Sequence, residues 1–351
     1  MATFQKGMYK SASLNTINTQ DIYLGIDSGN GRLKALSSNG YSLRIPSLLY
    51  FPHSEISVGE LDNESTYLLY EGGSRSDLWG KTCVVGKEAY ILAPDSYIAT
   101  GDEKEAKVKY CLELLLGVTA HIVSTEKINL FVAVSIHDRG TFVDEVVQKL
   151  QGSHRVQLNG RKCEITIQVK SCVDEGVGAY FELLATRKIQ KSETILFLDI
   201  GEGTLITSVF GNGVLKYRKA YPLGVSKLYS AIANNLQIRK ALRGLPGNIE
   251  LVKLGIERND FVYGNNSRLS FNFKDVYKAE LSPWVEQSLS KVLASIQQWH
   301  NEASSLFCIG GGVNLPGIKS YLEKRAFECL QDSEWLNARG LLKIAQRKQV
   351  K

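Results

Sequence analysis

The start of the chain alternates apolar and polar positions in a way that predicts a small meander of strands. Tyr23–Ile26 and Leu33–Leu36 are β-rich runs separated by a polar turn. Asn39-Gly40 follows the second run, and an Asn-Gly pair is the strongest short-range signal for a β-hairpin. A third strand should follow this pair and end at Pro46, because proline cannot donate to a sheet ladder.

Longer segments follow in which helical and strand patterns alternate. Helices are predicted for DEKEAKVKYCLELLLGV (102–118), RGTFVDEVVQKLQ (139–151) and DEGVGAYFELLATRK (174–188), two of which begin with acidic residues that suit the positive end of the helix dipole. The β-branched segments INLFVAVSI (128–136) and EITIQV (164–169) predict strands, and the second returns from a hairpin at Asn159-Gly160. Strands interleaved with helices predict an α/β unit with a mixed sheet.

The same order of elements begins again at Thr194. A buried strand leads into Asp199 as the first strand leads into Asp27, and each aspartate has glycine at +2 and +4 and an Asn-Gly pair at +12 or +13. The two aspartates lie 172 positions apart, which is about the length of one domain. This repeat predicts a duplicated domain.

Length and composition agree with two domains. A chain of 351 residues, 44% of them hydrophobic, can build two cores. The formal charge of +6 is spread along the chain and favours an anionic partner only weakly. Residues 1–20 are polar and lack the apolar core of a signal peptide, which predicts a flexible tail. Because no apolar run approaches the roughly 20 residues that span a bilayer, we expect a cytoplasmic protein with no membrane partner.

Cysteines and histidines show no spacing typical of a metal or redox motif. The six cysteines stand far apart without a C-x-x-C pair, and the five histidines have no cysteine or carboxylate at ligand spacing. We therefore expect buried thiols in a reducing cytoplasm and packing roles for the histidines.

Each aspartate-glycine turn combines groups that could hold a phosphate and its metal. Glycines let backbone N–H groups converge on an anion, and Mg²⁺ needs only one or two carboxylates besides water. Lys34, seven positions after Asp27, would reach a phosphate held by the first turn. A single such turn forms for local reasons alone, but its repetition favours a polyphosphate site. Gly310–Gly312 would let a base or ribose approach the backbone, although an ordinary loop explains this cluster equally well.

Three segments in this order, DSGNGRLK, DIGEGT and IGGGVNLPG, resemble the phosphate-1, phosphate-2 and adenosine motifs of the actin, DnaK-type chaperone and sugar-kinase superfamily. Within it the chain looks most like the ParM/StbA-type bacterial actins that segregate plasmids, and related archaeal actin-like proteins. The resemblance spans nearly all of Tyr23 to Ala345 and includes VVGKEA, VDEGVGAY and WLNARGLLKIA. It implies an α/β fold: a duplicated actin-like (ribonuclease H-like) two-domain ATPase fold with mixed sheets and an interdomain nucleotide cleft.

The resemblance also implies which residues bind ATP, or GTP as an alternative, with Mg²⁺. Asp27 and Asp199 would face each other across the nucleotide and hold the metal. The phosphate contacts would come from Gly29, Asn30, Gly31 and Lys34 on one side and from Gly201, Glu202, Gly203 and Thr204 on the other, and Gly310, Gly311 and Gly312 would lie against the adenosine.

One further position bears on catalysis in this family. Glu175 matches the Glu or Gln that orients the attacking water; the alternative is that Asp174 and Glu175 only complement a helix dipole. Two departures leave the hydrolysis rate and the nucleotide preference open. Arg32 stands where close relatives often have Asn, and Ile206 stands where plasmid actins often carry a second acidic residue.

On this basis we expect an ATP-hydrolysing protein that polymerises into filaments and segregates plasmid DNA through a centromere-binding adaptor, without direct DNA contact. The alternatives are a small-molecule kinase acting on a sugar or an acid, and a nucleotide-binding scaffold with little turnover. The expected organisation is a tail over residues 1–20, domain I over 21–187 plus 337–351, and domain II over 188–336.

Overall fold

The structure, a computed structural model, describes residues 19–53, 61, 63–101, 105–264 and 270–347. The predicted N-terminal tail lies outside the described residues except for its last two positions, and Gln20 already belongs to the first strand. Within these ranges, no helix combines the length and the apolar character needed to cross a membrane.

The first half of the chain forms a mixed sheet, sheet 1, with helices packed on it. Its strands are β1 (Gln20–Ser28), β2 (Arg32–Ser37), β3 (Ser42–Pro46), β4 (Leu48–Tyr50), β5 (Ser65–Gly73), β6 (Thr82–Gly86), β7 (Ile98–Ala99), β8 (Lys127–Ile136), β9 (Gly152–Leu158) and β10 (Arg161–Asp174). Its helices are α1 (Lys87–Leu92), α2 (Ala106–Lys109), α3 (Cys111–Thr119), α4 (Arg139–Leu150) and α5 (Val177–Ala185).

The second half forms a smaller mixed sheet, sheet 2, and a larger set of helices. Its strands are β11 (Ile195–Ile200), β12 (Leu205–Gly211), β13 (Val214–Tyr221), β16 (Ser305–Ile309) and β17 (Glu328–Cys329), with β14 (Val262–Tyr263) and β15 (Phe271–Asn272) as a separate pair. Its helices are α6 (Ser226–Asn234), α7 (Leu236–Ala241), α8 (Ile249–Glu257), α9 (Lys274–Trp284), α10 (Ser290–Ser295), α11 (Gln297–Glu302), α12 (Ile318–Glu323) and α13 (Leu336–Gln346).

The two sheets share one topology, which confirms the predicted duplication. Sheet 1 contains the order β3-β2-β1-β8, and sheet 2 contains the order β13-β12-β11-β16. In both, the first two pairings are antiparallel and the third is parallel. The sheets are therefore mixed, as predicted, and each begins with the hairpin that carries an Asp-x-Gly-x-Gly turn.

Helices α5 and α13 form a layer between the two sheets. On one side, Leu341 and Ala345 of α13 pack on Ala133 of sheet 1. On the other side, Tyr180 of α5 stacks on Phe210 of sheet 2, with 4.2 Å between the ring centroids. The last helix thus returns to the first half of the chain. The domain bounds stay a prediction.

Two predicted helices differ from the structure. Residues 102–104 lie outside the described part of the chain, and the rest of the predicted helix 102–118 is two helices, because Tyr110 leaves the helical region at φ −110° and ψ 20°. The predicted helix 174–188 covers only Val177–Ala185. Asp174 still belongs to β10, where it pairs with Ile136 of β8. Gly176 then turns the chain at φ 91°, a conformation that glycine tolerates.

Candidate functional site

The two Asp-x-Gly-x-Gly turns face each other across a cavity of about 610 Å³ between the two halves of the chain. Every residue that the sequence analysis selected lies on the wall of this cavity. These residues are Asp27, Gly29, Asn30, Gly31, Lys34, Glu175, Asp199, Gly201, Glu202, Gly203, Thr204, Gly310, Gly311 and Gly312. The structure thus brings together in space segments that lie up to 285 positions apart in the chain.

Asp27 lies near the end of β1, between two polar partners on the neighbouring strands. On β2 it pairs with Lys34, whose Nζ lies 3.9 Å from its Oδ2. On β8 it pairs with Ser135, whose hydroxyl donates a 3.0 Å hydrogen bond to its Oδ1. Burial raises the pKa of this carboxyl above its usual value, and Lys34 opposes that effect. Asp27 is therefore held in a fixed orientation beside a cation.

Asp199 occupies the equivalent position on β11 but has apolar neighbours. It pairs with Ile206 on β12 and with Ile309 on β16. Its carboxylate has no hydrogen-bond partner among the described residues. Burial, followed by the nearby charge of Asp27, raises its pKa to about 7. A cation placed between the two carboxylates would remove most of this unfavourable charge.

The two turns interlock through their glycines. A Cβ atom at Gly31 would overlap the carboxylate of Glu202 in the opposite turn, and a Cβ atom at Gly203 would overlap the amide of Asn30. Glu202 is held in place by an ion pair with Lys253 of α8. The glycines at +4 thus allow each turn to receive a side chain of the other, and a larger residue at either position would displace that side chain.

Glu175 is buried in the turn between β10 and α5, where two cations hold its side chain. Lys107 Nζ of α2 contacts Oε1 at 3.0 Å, and Arg218 Nη2 of β13 contacts Oε2 at 3.0 Å. Burial alone would raise the pKa of Glu175, but Lys107 and Arg218 together hold it below its usual value. Glu175 also lines the cavity, where it is present as a carboxylate. This argues against a role confined to the dipole of α5.

The third glycine cluster follows β16, the strand beside β11, and lines the cavity next to Asp199. Gly310 has φ 90°, and a Cβ atom there would overlap Oδ1 of Asp199. At Gly311 the nearest atom to such a Cβ is Oε2 of Glu334, at 3.9 Å, so this backbone is open to the cavity. Tyr229, Leu315 and Pro316 add an apolar surface beside it. This part of the cavity can receive a flat, partly apolar group.

The two departures from the family pattern have clear positions. Arg32 donates to Glu257 of α8 at 3.1 Å and to Glu64 at 3.3 Å, so it links the two halves at the edge of the cavity. Ile206 lies directly opposite Asp199 and leaves that carboxylate without a polar neighbour.

Sequence reasoning did not select the two cations beside Glu175. Lys107 belongs to a segment that reads as an ordinary amphipathic helix, and Arg218 belongs to a strand that alternates exposed and half-buried positions. Their distances from Glu175 along the chain are 68 and 43 positions, so no local spacing could have shown the contact.

The residues present fit a magnesium-bound nucleotide. Mg²⁺ accepts one or two carboxylates and completes its shell with water and phosphate oxygens, and Asp27 and Asp199 supply such oxygens from opposite walls. In the described ranges no group of three or more His, Cys, Asp or Glu side chains could hold a metal by itself. Bound between Asp27 and Asp199, Mg²⁺ would neutralise phosphate charge, while Lys34 and the turn N–H groups would hold the phosphate oxygens.

Comparisons with known proteins point to one fold. Residues 25–178 match the family described as the N-terminal domain of actin-like proteins. No curated protein matches the chain by sequence.

Solved structures extend the likeness to the whole chain. Ta0583, an archaeal actin homologue, in its complex with ADP is 18% identical with a TM-score of 0.70, over 93% of this chain and 99% of that one. A 15-stranded ParM filament from Clostridium botulinum is 14% identical with a TM-score of 0.68, over 93% and 99%. ParM from Bacillus thuringiensis with AMPPNP is 19% identical with a TM-score of 0.63, over 93% and 98%. Residues 25–178 thus match the family of actin-like N-terminal domains, and the chain as a whole has the actin-like fold that the resemblance implied.

Proposed function

We propose that this chain binds ATP with Mg²⁺ between its two domains, hydrolyses it, and polymerises into filaments. The observation that carries the proposal is the pair of interlocking turns that direct Asp27 and Asp199 into one cavity. The same cavity contains a cation beside Asp27 and a glycine-rich segment beside Asp199. We also propose the domain bounds given above, with the nucleotide between them.

Each group in the cavity has a role in this proposal. The turns Gly29–Gly31 and Gly201–Thr204, with Lys34, bind the phosphates from the two domains. Asp27 and Asp199 hold the metal, directly or through water. Gly310–Gly312 lie against the adenosine, where the apolar side chains of Leu315 and Pro316 exclude water from one face. GTP is the alternative ligand, and competition between the two nucleotides distinguishes them.

Glu175 would orient the water that attacks the terminal phosphate. Its carboxylate is ionised, since Lys107 and Arg218 hold its pKa below the usual value. A carboxylate in this state accepts a hydrogen bond from water and fixes the direction of its lone pair, which is positioning chemistry more than proton abstraction. Without this group, the water would have to reach the in-line geometry by chance.

We propose assembly and plasmid segregation from the likeness to ParM structures. The Clostridium botulinum structure is itself a filament. Subunits that stack head to tail through two different surfaces form an open filament, because the contact does not close on itself. A centromere-binding adaptor would connect the filament to plasmid DNA, and direct DNA contact is not expected for a net charge of +6 without a dense basic block. The proposed location is the cytoplasm.

Ultracentrifugation with a phosphate assay tests the proposal. The purified chain is pelleted with Mg²⁺ and ATP, ADP or no nucleotide, and released phosphate is measured in the same tubes. We expect pelleting with ATP, accompanied by phosphate. Glu175→Gln should bind nucleotide and lose turnover, whereas Glu145→Gln, at an exposed ion pair on α4, should behave like the wild type. A monomer that binds no nucleotide would overturn the proposal.

A small-molecule kinase is the second candidate, and one observation favours it. A second cavity of about 520 Å³ lies between the halves and shares Asn30, Gly31, Arg32, Glu202 and Gly203 with the first. A phosphoryl acceptor could enter there. Against this, Glu202 and Glu250, the acidic residues on its wall, both pair with Lys253, so neither is available as a base. Phosphate release without any added acceptor would favour the ATPase, whereas release that requires an acceptor would favour the kinase.

A further inference from the structure

Two cysteines that lie far apart in the sequence meet on sheet 2. Cys308 lies on β16 and Cys329 on β17, and the two residues are direct partners in the parallel register of these strands. Residues paired in this way point to the same face of a sheet. Here that face is the apolar core of the second half, which contains Cys308 and packs against Cys329.

The geometry of this pair suits a disulfide bond. Neighbouring strands lie about 4.7–4.9 Å apart, and the Cα atoms of a disulfide are usually about 4.4–6.8 Å apart. Both thiols are free. The other four cysteines do not pair with a cysteine: Cys83, Cys163 and Cys172 lie opposite Leu68, Val156 and Val134, and Cys111 lies on α3.

The two thiols differ in access and in acidity. Cys308 is fully buried, whereas Cys329 is partly exposed at the edge strand. Burial raises the pKa of the Cys308 thiol. The hydrogen bond between the two thiols lowers the pKa of Cys329. On α12, Lys319 also lowers the pKa of Cys329, while Glu323 raises it. The exposed thiol is therefore the better nucleophile, and the buried thiol lies next to it.

We propose that Cys308 and Cys329 are a modification site, a dithiol that a low-molecular-weight disulfide such as oxidised glutathione converts into an intrachain disulfide. The Cys329 thiolate attacks one sulfur of the glutathione disulfide, forms a mixed disulfide and releases one glutathione thiolate. Cys308 gives up its proton and attacks the Cys329 sulfur, which releases the second glutathione. The protein loses two hydrogens and one glutathione disulfide becomes two glutathione thiols, so atoms and electrons balance.

The position of the bond gives the modification a local consequence. The segment that it closes begins directly before Gly310–Gly312 and includes Leu315 and Pro316, all on the wall of the main cavity. A link between its ends reduces the conformational freedom of this segment in the unfolded chain. The disulfide itself does not depend on the proposed nucleotide function, so the two can fail separately.

Thiol mapping under native conditions tests the site. The folded chain is incubated with oxidised glutathione, denatured, alkylated and digested, and the peptides are identified by mass spectrometry. We expect a peptide pair linked through Cys308 and Cys329, four alkylated cysteines in place of six, and full reversal by a reducing agent. Cys308→Ser should stop at a mixed disulfide between Cys329 and glutathione. Cys329→Ser should form neither product, and Cys172→Ser, the matched control, should form the same link as the wild type.

Thermal unfolding gives a second measurement on the same samples. The oxidised wild type should unfold at a midpoint several degrees above the reduced form, and Cys329→Ser should show no such difference. A link that joins other cysteines, or a wild type that stops at the mixed disulfide, would overturn the proposal. A lower midpoint after oxidation would also overturn it, because the native strands would then be strained by the bond.

Discussion

The two Asp-x-Gly-x-Gly hairpins share a backbone and differ in what surrounds the aspartate. Asp27 has Lys34 and Ser135 on the neighbouring strands, and Asp199 has Ile206 and Ile309 at the same two places. The first carboxylate therefore has a cation and a hydrogen-bond donor on the neighbouring strands, whereas the second has neither and its pKa rises to about 7. The two copies thus share the turn that shapes the cavity, and they differ in the charge and polarity of the residues around the aspartate.

A second difference lies two residues before each aspartate. Gly25 in β1 faces the backbone of α13, and a Cβ atom there would overlap the main chain at Leu342 and Ala338. The equivalent residue of β11 is Phe197, which is buried against Phe210 and Phe307. One copy therefore makes room for a helix, and the other fills the space with aromatic side chains.

The largest effect should come from breaking this second difference. Gly25→Val places a branched side chain against helix backbone that cannot move aside, so we expect a loss of about 3 kcal/mol or more in the free energy of unfolding. Chemical denaturation measures this loss. Gly140→Ala is the control, because a Cβ atom there meets only Asp138 at 3.6 Å; it should not lower stability, since alanine is favoured over glycine in a helix. Equal midpoints for Gly25→Val and the wild type would show that α13 does not pack on β1 as described.

The next effect concerns a contact that only the second copy makes. Arg218 of β13 crosses to the first half, where it donates to His137 O at 2.7 Å and to Glu175, while the equivalent residue of the first copy in the sheet register is Ser42. Arg218→Ala frees Glu175 on one side, and we expect ATP turnover to fall about 10²-fold, since small misplacements of catalytic groups have effects of this size.

Nucleotide affinity separates this positioning role from a loss of folding. Arg218→Ala should bind nucleotide nearly as well as the wild type, and Arg218→Lys should recover part of the turnover because it restores a charge without the second hydrogen bond. Arg155→Ala, on an exposed part of β9, is the matched control and should change neither quantity. A parallel loss of affinity and turnover in Arg218→Ala would instead indicate a structural role.

The pH dependence of stability tests the electrostatic difference between the aspartates. The pKa of Asp199 rises from 3.8 to about 7 on folding of the metal-free chain, so the folded state binds this proton more tightly than the unfolded state. The contribution of Asp199 to the free energy of unfolding should therefore be greatest near pH 4 and fall as the pH rises to about 7. The wild type should lose at least about 1.4 kcal/mol more than Asp199→Asn across this window, the equivalent of one pKa unit.

A substitution that copies the first hairpin into the second sharpens the same test. Ile206→Lys places an ammonium opposite Asp199, as Lys34 stands opposite Asp27. It should lower the pKa of Asp199 and flatten the pH dependence measured by denaturation in the presence of a chelator. If wild type, Asp199→Asn and Ile206→Lys all show the same slope, Asp199 does not titrate in this range.

The smallest effect concerns the two Asn-Gly turns, which differ despite identical residues. Asn212 and Gly213 both have positive φ, 55° and 80°, whereas in the first copy only Gly40 does, and Asn39 donates to Ile122 O at 3.0 Å. Either asparagine replaced by alanine should cost about 1 kcal/mol, through backbone strain at 212 and a lost hydrogen bond at 39. Replacement by glycine distinguishes the two causes in denaturation experiments. Asn212→Gly should be as stable as the wild type, whereas Asn39→Gly should be destabilised like Asn39→Ala.

Much of the fold could be predicted from short-range patterns. The hairpins, the repeat, the strand at 128–136 and the helix at 139–151 depend on local periodicity and turn chemistry, and the structure has all of them. The end of β10 was missed because Asp174 and Glu175 resemble the start of a helix, while tertiary pairing keeps Asp174 in the strand.

The site divides in the same way. The glycines and aspartates occur in recognisable turns, so sequence could select them. Lys107 and Arg218 could not be selected, because they reach Glu175 from separate elements of the folded chain. Likewise, the pairing of Cys308 with Cys329 depends on strand order, which spacing along the chain does not show.

The middle layer also determines how the halves can move. The chain passes from the first half to the second once, between α5 and β11, and returns once, before α13. Between these crossings, Gly178 near the start of α5 and Gly340 of α13 bring the two helices into backbone contact. Two covalent crossings should allow the halves to rotate relative to each other about the line that joins the crossings. They should resist sliding and twisting of one half against the other. One distance across the mouth of the cavity, measured between two labels, would therefore describe the opening of the whole molecule.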